Sequence, residues 1–189
     1  LGVRMLTIPI EPPFQGFLDT LSEAFGGKDI DVTEENLQSR TRGAIMMALS
    51  NKHGGLLLTT GNKSEYAVGY ATLYGDMCGG FAPIKDVYKT VAYRLAELRN
   101  RQERVIPQRI ITKPPTAELR PDQKDEDSLP PYPVLDDILD QYVDRDRSVQ
   151  QIVDAGHDDA VVRQVVGLLH RNEYKRRQAA PGVKITHKA

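Results

Sequence analysis

The apolar run Leu56-Leu57-Leu58 passes directly into Thr59-Thr60-Gly61-Asn62-Lys63-Ser64-Glu65, so small polar residues and a carboxylate follow what reads as a buried parallel strand. In open parallel sheets ligands bind just beyond the carboxyl ends of strands, which makes this segment the first place for chemistry. Taken alone, each residue type here also has a plain structural use. Glu65 reads as a solvated loop acid, Thr60 and Thr116 as turn or cap residues, Lys89 as the outer face of a helix, and Asp76 as part of a Gly-Asp turn. Cys78 is the only thiol, and nothing near it resembles a Glu, Lys and Cys nucleophile set, so it reads as a structural loop cysteine. His53, His157, His170 and His187 show neither ligand spacing nor an H-E-x-x-H pattern, which gives zinc no support. Gly75, Gly79 and Gly80 do not form a GxGxxG fingerprint.

The elements that must position these residues follow from periodicity. Val3 to Ile8 is a short strand candidate closed by Pro9, Pro12 and Pro13. Phe14, Phe17, Leu18 and Leu21 then recur at helical spacing up to Gly26-Gly27. Thr33 is the expected N-cap of a second helix, with Glu34 and Glu35 in its first turn, running to about Asn51. The stripe Val87, Val91, Leu95, Leu98 predicts a helix from Lys85 to about Gln102, and Arg109 to Thr112 reads as a further strand. Asp122 to Pro133, DQKDEDSLPPYP, is too charged and Pro-rich for an element and reads as a mobile loop. Leu135, Ile138, Leu139 and Tyr142 open a helical tail that continues through Val149 to Asp154 and the stripe Val161, Val165, Leu168.

Composition bounds what such a chain does. With 189 residues, 40% hydrophobic and 27% charged, it fits one globular domain. Its apolar runs fall far short of the roughly 20 residues a membrane span needs. A formal net charge of −1 removes the general drive toward nucleic-acid backbones. A single cysteine points to a reducing compartment, with the cytoplasm as the default. The opening Leu1-Gly2-Val3-Arg4 has no initiator Met and no signal-peptide build, so it reads as a cut.

Three segments in order carry a resemblance: Glu35-Asn36-Leu37-Gln38-Ser39-Arg40-Thr41-Arg42, Thr59 to Glu65, and Tyr70-Ala71-Thr72-Leu73-Tyr74-Gly75-Asp76-Met77. The chain resembles the synthetase domain of NAD synthetases, and its TLYGDM form is similar to the longer, glutamine-dependent members. The likeness continues through Pro83 to Thr90, Lys113 to Leu119 and Asn172 to Gln178. It implies an α/β fold of the adenine nucleotide alpha hydrolase type (N-type ATP pyrophosphatase), a parallel sheet flanked by helices with a helical C-terminal tail. In that scheme residues 1–120 form a partial synthetase domain, 121–133 a mobile acidic loop closing over the site, and 134–189 the helical end of the same domain.

The reaction implied is adenylation of the nicotinate carboxylate of deamido-NAD by ATP, then attack by ammonia to give NAD, AMP and pyrophosphate. A carboxylate resists an amine because its charge repels the nucleophile and its oxygens leave poorly. Such a site needs cations for phosphates and exclusion of water from the acyl-adenylate. By motif position the resemblance makes Glu65 a Mg²⁺ ligand, Thr60, Lys89 and Thr116 ATP contacts, and Arg40, Asp76, Tyr174 and Lys175 deamido-NAD contacts. Arg42, two residues beyond Arg40, is expected to point elsewhere on the helix. Tyr174-Lys175 stands where ammonia-dependent relatives carry His-Lys, and Leu73 where they carry a lysine, so part of the substrate contact is rearranged. Ammonia is expected either free or from glutamine through a separate amidohydrolase domain, and assembly at least as a dimer.

The family's SGGxDS phosphate loop does not occur in these residues, so it and the first strands are expected before Leu1, and the chain alone is expected to be inactive. Two other readings are weighed against this one. GMP synthetase or asparagine synthetase would share the adenylation chemistry, but TLYGDM and Tyr174-Lys175 favour the NAD enzymes. A helix-turn-helix over Ser148 to Gln178, ending in Arg171, Lys175, Arg176 and Arg177, would meet nucleic acid, but the acidic loop before it would repel DNA.

Overall fold

Asp31, not Thr33, opens the second helix. Its carboxylate accepts from the Thr33 N–H while Glu34 reaches back to the Asp31 N–H, because an acid three residues before another completes a capping box that Thr33 cannot. The computed structural model describes residues 2–188. Two N-terminal helices, α1 (Glu11–Phe25) and α2 (Val32–His53), lead to a short α3 (Lys63–Val68). Next come α4 (Lys89–Gln102), α5 (Gln108–Thr112) and α6 (Tyr132–Leu139), the last extended by a wide turn over Asp140–Asp144. The tail holds α7 (Val149–Asp154), α8 (Asp159–Arg171) and α9 (Glu173–Arg177).

No ladder of strands forms among the described residues; two isolated parallel bridges, Leu58 with Phe81 and Ala82 with Gly182, are the only pairing. Val3 to Ile8, expected as a strand, is unpaired chain. A strand persists only where a neighbour takes up its backbone groups, and none of the described segments pairs with this one. The Leu56 to Leu58 run is not buried as expected either: Leu56 is 68% exposed and Leu58 52%. Arg109 to Thr112 falls in α5 rather than in a strand. Its helix starts after Pro107, whose carbonyl accepts from Ile110 N–H, and Asn100 holds the preceding Val105 and Ile106 N–H groups.

The apolar core lies in the C-terminal half. Leu135, Ile138, Leu139, Ile152, Val162 and Val165 are almost wholly buried where α6, α7 and α8 meet, with Ala67 and Val68 of α3 packed onto them. Tyr88 and Tyr132 close the edge of this core nearest the strand-end segment. By contrast α1 and α4 bury no residue completely.

The acidic loop is better anchored than its composition suggests. Asp125–Asp127 forms a short tight turn of helix, and Asp125, Leu129 and Tyr132 are buried, so three residues within the charged run act as anchors.

Candidate active site

Glu65 owes its position to the start of α3. Asn62 caps the helix by accepting from the Glu65 N–H at 3.0 Å, and Glu65 Oε2 accepts from the Asn62 N–H at 3.1 Å. Its other oxygen faces Lys89 Nζ at 2.9 Å. Lys89 is placed by a second device. α4 begins at Lys89 and not at Lys85, because Ser64 Oγ accepts from the Lys89 N–H at 2.9 Å and Asp136 Oδ2 from the Thr90 N–H at 2.9 Å. Asp136 is itself held by Ser64, whose hydroxyl donates to Oδ1 at 2.5 Å. One buried carboxylate on α6 therefore ties the two helices that carry Glu65 and Lys89.

Burial works against the charge on Lys89, but the adjoining Glu65 carboxylate outweighs it and the ammonium stays charged above its ordinary range. Lys175 shows the reverse balance. Its Nζ donates to the carbonyls of Gly69 and Ala71, both at 2.7 Å, and burial lowers its pKa despite the attraction of Asp76.

Asp76 closes a turn and faces the same space. Its Oδ1 accepts from the Thr72 N–H at 2.7 Å and from the Ser39 hydroxyl at 3.2 Å, while its N–H donates to Ser39 Oγ at 3.1 Å. The turn touches α2 so closely that a Cβ on Gly75 would sit 2.2 Å from Ser39 Oγ, and one on Gly43 2.8 Å from the Tyr74 carbonyl.

A cleft of roughly 420 Å³ gathers Thr60, Glu65, Asp76, Lys89, Thr116 and Lys175. Six of the residues singled out in the sequence therefore share one space despite being up to 115 positions apart, from Thr60 to Lys175. Arg40 and Tyr174 do not line it. Arg40 is exposed and donates through Nε to the Leu73 carbonyl at 3.2 Å, and Tyr174 is 52% exposed. Arg42, expected to point away, is the arginine of this helix that lines the cleft, bonded through Nη2 to Gln38. Sequence reasoning also missed Ser39, Tyr70 and Asp125, which line the same cleft. The pairing of Ser39 with Asn36 at helical spacing was a usable signal, whereas nothing in the acidic run distinguishes Asp125 from its neighbours.

Among the described residues no group of three or more His, Cys, Asp or Glu forms a cage for a metal ion. The donor set fits a magnesium ion held through one carboxylate, Glu65, with substrate phosphates and water supplying the other oxygens, which is how this ion is usually bound. Cys78 is half-buried, and two histidines serve local pairs: His157 with Asp137 at 2.6 Å and His170 with Tyr142 at 3.0 Å.

The family model for NAD synthase matches residues 1–179. This chain belongs to the NAD synthase family. A glutamine-dependent NAD(+) synthetase of Xylella fastidiosa is 59% identical over the whole of this chain, and one of Thermotoga maritima is 54% identical. The chain spans about a third of the length of these curated relatives, 35% of the first and 33% of the second. Among solved structures, a glutamine-dependent NAD(+) synthetase from Cytophaga hutchinsonii matches 96% of this chain and 31% of its own length, with a TM-score of 0.76 and 27% identity. One from Acinetobacter baumannii in complex with adenosine diphosphate matches 94% of this chain and 32% of its own, with a TM-score of 0.54 and 49% identity. The chain thus shares its fold with solved NAD synthetases. Among its described residues no helix is long and apolar enough to cross a membrane.

Proposed function

We propose that these residues form the adenylating and amide-forming site of a glutamine-dependent NAD synthetase. The observation that carries this reading is that one cleft holds both the Glu65–Lys89 pair, 2.9 Å apart, and Asp76 with Lys175. The first pair suits the phosphates and magnesium of ATP, with Thr60 and Thr116 as hydroxyl contacts. The second suits deamido-NAD, with Arg42 joining the residues carried over from the family motif, Arg40 and Tyr174 among them.

When magnesium is bound it neutralises charge on the phosphates as pyrophosphate leaves. The residues of this chain do the rest. Lys89 meets phosphate oxygens as a point charge, and the carbonyls that hold Lys175 fix its ammonium against the cleft wall. The loop 121–133 is read as the lid that keeps water from the acyl-adenylate, anchored through Asp125 and Leu129. In the full enzyme Val3 to Ile8 and Leu56 to Thr59 are read as strands of the parallel sheet, completed by segments that include the phosphate loop. These residues by themselves are proposed to be inactive, because ATP lacks its pyrophosphate anchor. The enzyme is further proposed to be a cytoplasmic homo-oligomer supplied with ammonia from glutamine.

The test is NAD formation from ATP, deamido-NAD and ammonium in the full-length protein and its Lys89→Ala variant. The expected result is turnover in the first and a loss of about 100-fold or more in the second, as for removal of one electrostatic contact to a transition state. Absence of NAD formation in the full-length protein, or xanthosine monophosphate as the preferred acceptor, would overturn the assignment.

A further inference from the structure

The start of α4 is set from outside the helix. Tyr88 precedes it and offers no side-chain cap, its hydroxyl donating to Asp144 Oδ2 at 2.7 Å instead. The N–H groups of Lys89 and Thr90, the first two of α4, are met by Ser64 of α3 and Asp136 of α6, each at 2.9 Å. Ser64 is wholly buried and Asp136 is 5% exposed. Because the Ser64 hydroxyl donates to Asp136 Oδ1, its lone pairs are left to face the Lys89 N–H. Lys89 is the first residue of the helix, so its backbone stands where α6 puts it.

The same helix meets the other end of Lys89. Tyr132 and Asp136 lie four positions apart on α6 and so share one of its faces. The Lys89 ammonium sits 5.3 Å from the centre of the Tyr132 ring, within reach of a cation–π contact. That ring is fixed in turn, since Tyr132 is buried and its hydroxyl donates to Asp125 Oδ2 at 2.6 Å. Among the described residues the ammonium donates one hydrogen bond, to Glu65 at 2.9 Å, and an aromatic face attracts it without taking up its other N–H groups. Stability alone does not call for this arrangement. The three helices already join through Ala67, Val68, Val91 and Leu135, and a buried carboxyl group met by a hydroxyl and an amide, not by a cation, adds little to such packing. What it adds is direction, because hydrogen bonds fix a helix start that apolar contacts would let slide.

We infer that Asp136 and Tyr132 are positioning residues for Lys89: α6 grips the lysine at its backbone and at its ammonium, so that the remaining N–H groups face the phosphates of ATP. Neither residue lines the cleft, so both act through Lys89 and not on the substrate. This role rests on the function proposed above and deepens it. A cation on a flexible four-carbon stem loses its aim easily, and holding both of its ends removes most of that freedom before ATP arrives.

Asp136→Asn in the full-length protein keeps the shape but loses one bond whichever way the amide turns, because its NH₂ then meets the Thr90 N–H or the Ser64 hydroxyl proton. NAD formation should slow about 10- to 100-fold, the size of a misplaced contact. Made on top of Lys89→Ala, the same change should alter the rate by less than about 2-fold, since the group it positions is gone. Losses that multiply would overturn the inference, because Asp136 would then only hold the fold. Where the rates are too slow to compare, calorimetry reads the same cycle: Asp136→Asn should weaken ATP binding when Lys89 is present, leave it unchanged in Lys89→Ala, and leave deamido-NAD binding as in wild type. Equal weakening of both substrates would count against the role. For the ring, Tyr132→Leu should cost about 5- to 30-fold while Tyr132→Phe stays within about 3-fold of wild type, and equal losses would overturn its part. Should Asp136→Asn fail to fold, Tyr132→Leu with and without Lys89→Ala decides by the same rule. Wild-type protein that makes no NAD removes the ligase reading itself, whereas an active wild type in which the two changes multiply overturns only this inference.

Discussion

The body around α6, α7 and α8 and the arm formed by α1 and α2 are held by different forces. In the body, apolar side chains meet and lose all contact with water, as at Leu135, Ile138 and Ile152. The arm docks through polar and small residues instead: Ser39 onto Asp76, Asn36 onto Thr72, Arg40 onto the Leu73 carbonyl, with Gly43 pressed against the Tyr74 turn. Phe17 of α1, and Met5 and Leu6 in the chain that leads into it, remain exposed at 45%, 84% and 52%. The cleft lies between the two, so Glu65 and Lys89 rest on hydrophobic packing and Asp76 on hydrogen bonds whose worth depends on close fit.

The largest effect should come from the ion cluster that fastens the C-terminal strand-like end to the body. Lys63 Nζ lies 3.0 Å from both Asp86 and Asp144 and 2.7 Å from the Thr186 hydroxyl. Lys63→Met strands two buried carboxylates and should cost about 3–5 kcal/mol in denaturant unfolding. Burial alone would raise the Asp86 pKa, but the Thr186 hydroxyl, the Thr186 and Ile185 N–H groups and Lys63 together hold it below 3.8. A depressed folded pKa gives stability that is present above the unfolded value and lost as pH falls through the folded one. The melting temperature should therefore drop as pH falls below 3.8, and Asp86→Asn should flatten that drop; an equal slope in the variant would refute it.

Leu135→Ala should cost about 2–5 kcal/mol, through lost transfer energy and the cavity left behind. Gly43→Ala tests the arm. Alanine is the better helix former, but its Cβ would meet the Tyr74 carbonyl at 2.8 Å, so α2 should shift. The expected cost is about 1–3 kcal/mol, with weakened deamido-NAD binding in calorimetry. Leu6→Ala should change stability by less than about 0.5 kcal/mol, as exposed sites do. A cost for Leu6 equal to that for Leu135 would erase the contrast between arm and body.

Local patterns in the chain specified the helices whose signals were self-contained. Gly26 stops α1 as read, α2 ends at His53, two residues past the expected Asn51, and the stripes of the tail become α6, α7 and α8. Six candidate residues carried over by family motif meet in one cleft, because a motif fixes the backbone around them. The reading of Arg109 to Thr112 as a strand did not hold, and Val3 to Ile8 finds no pairing partner among the described residues, since a strand depends on neighbours that periodicity cannot see.

What the sequence by itself determined is family, where most of the helices lie and the residue types available for chemistry, because these follow from short-range spacing and motif. Only the tertiary structure decided that Arg42 rather than Arg40 lines the cleft, that Asp136 ties Glu65 to Lys89 through Ser64, and that one acid in a charged run, Asp125, is buried with an oxygen unmet. Each of these depends on chain segments distant in sequence enclosing the same few ångströms, and burial of a polar group is a property of that enclosure rather than of the residue.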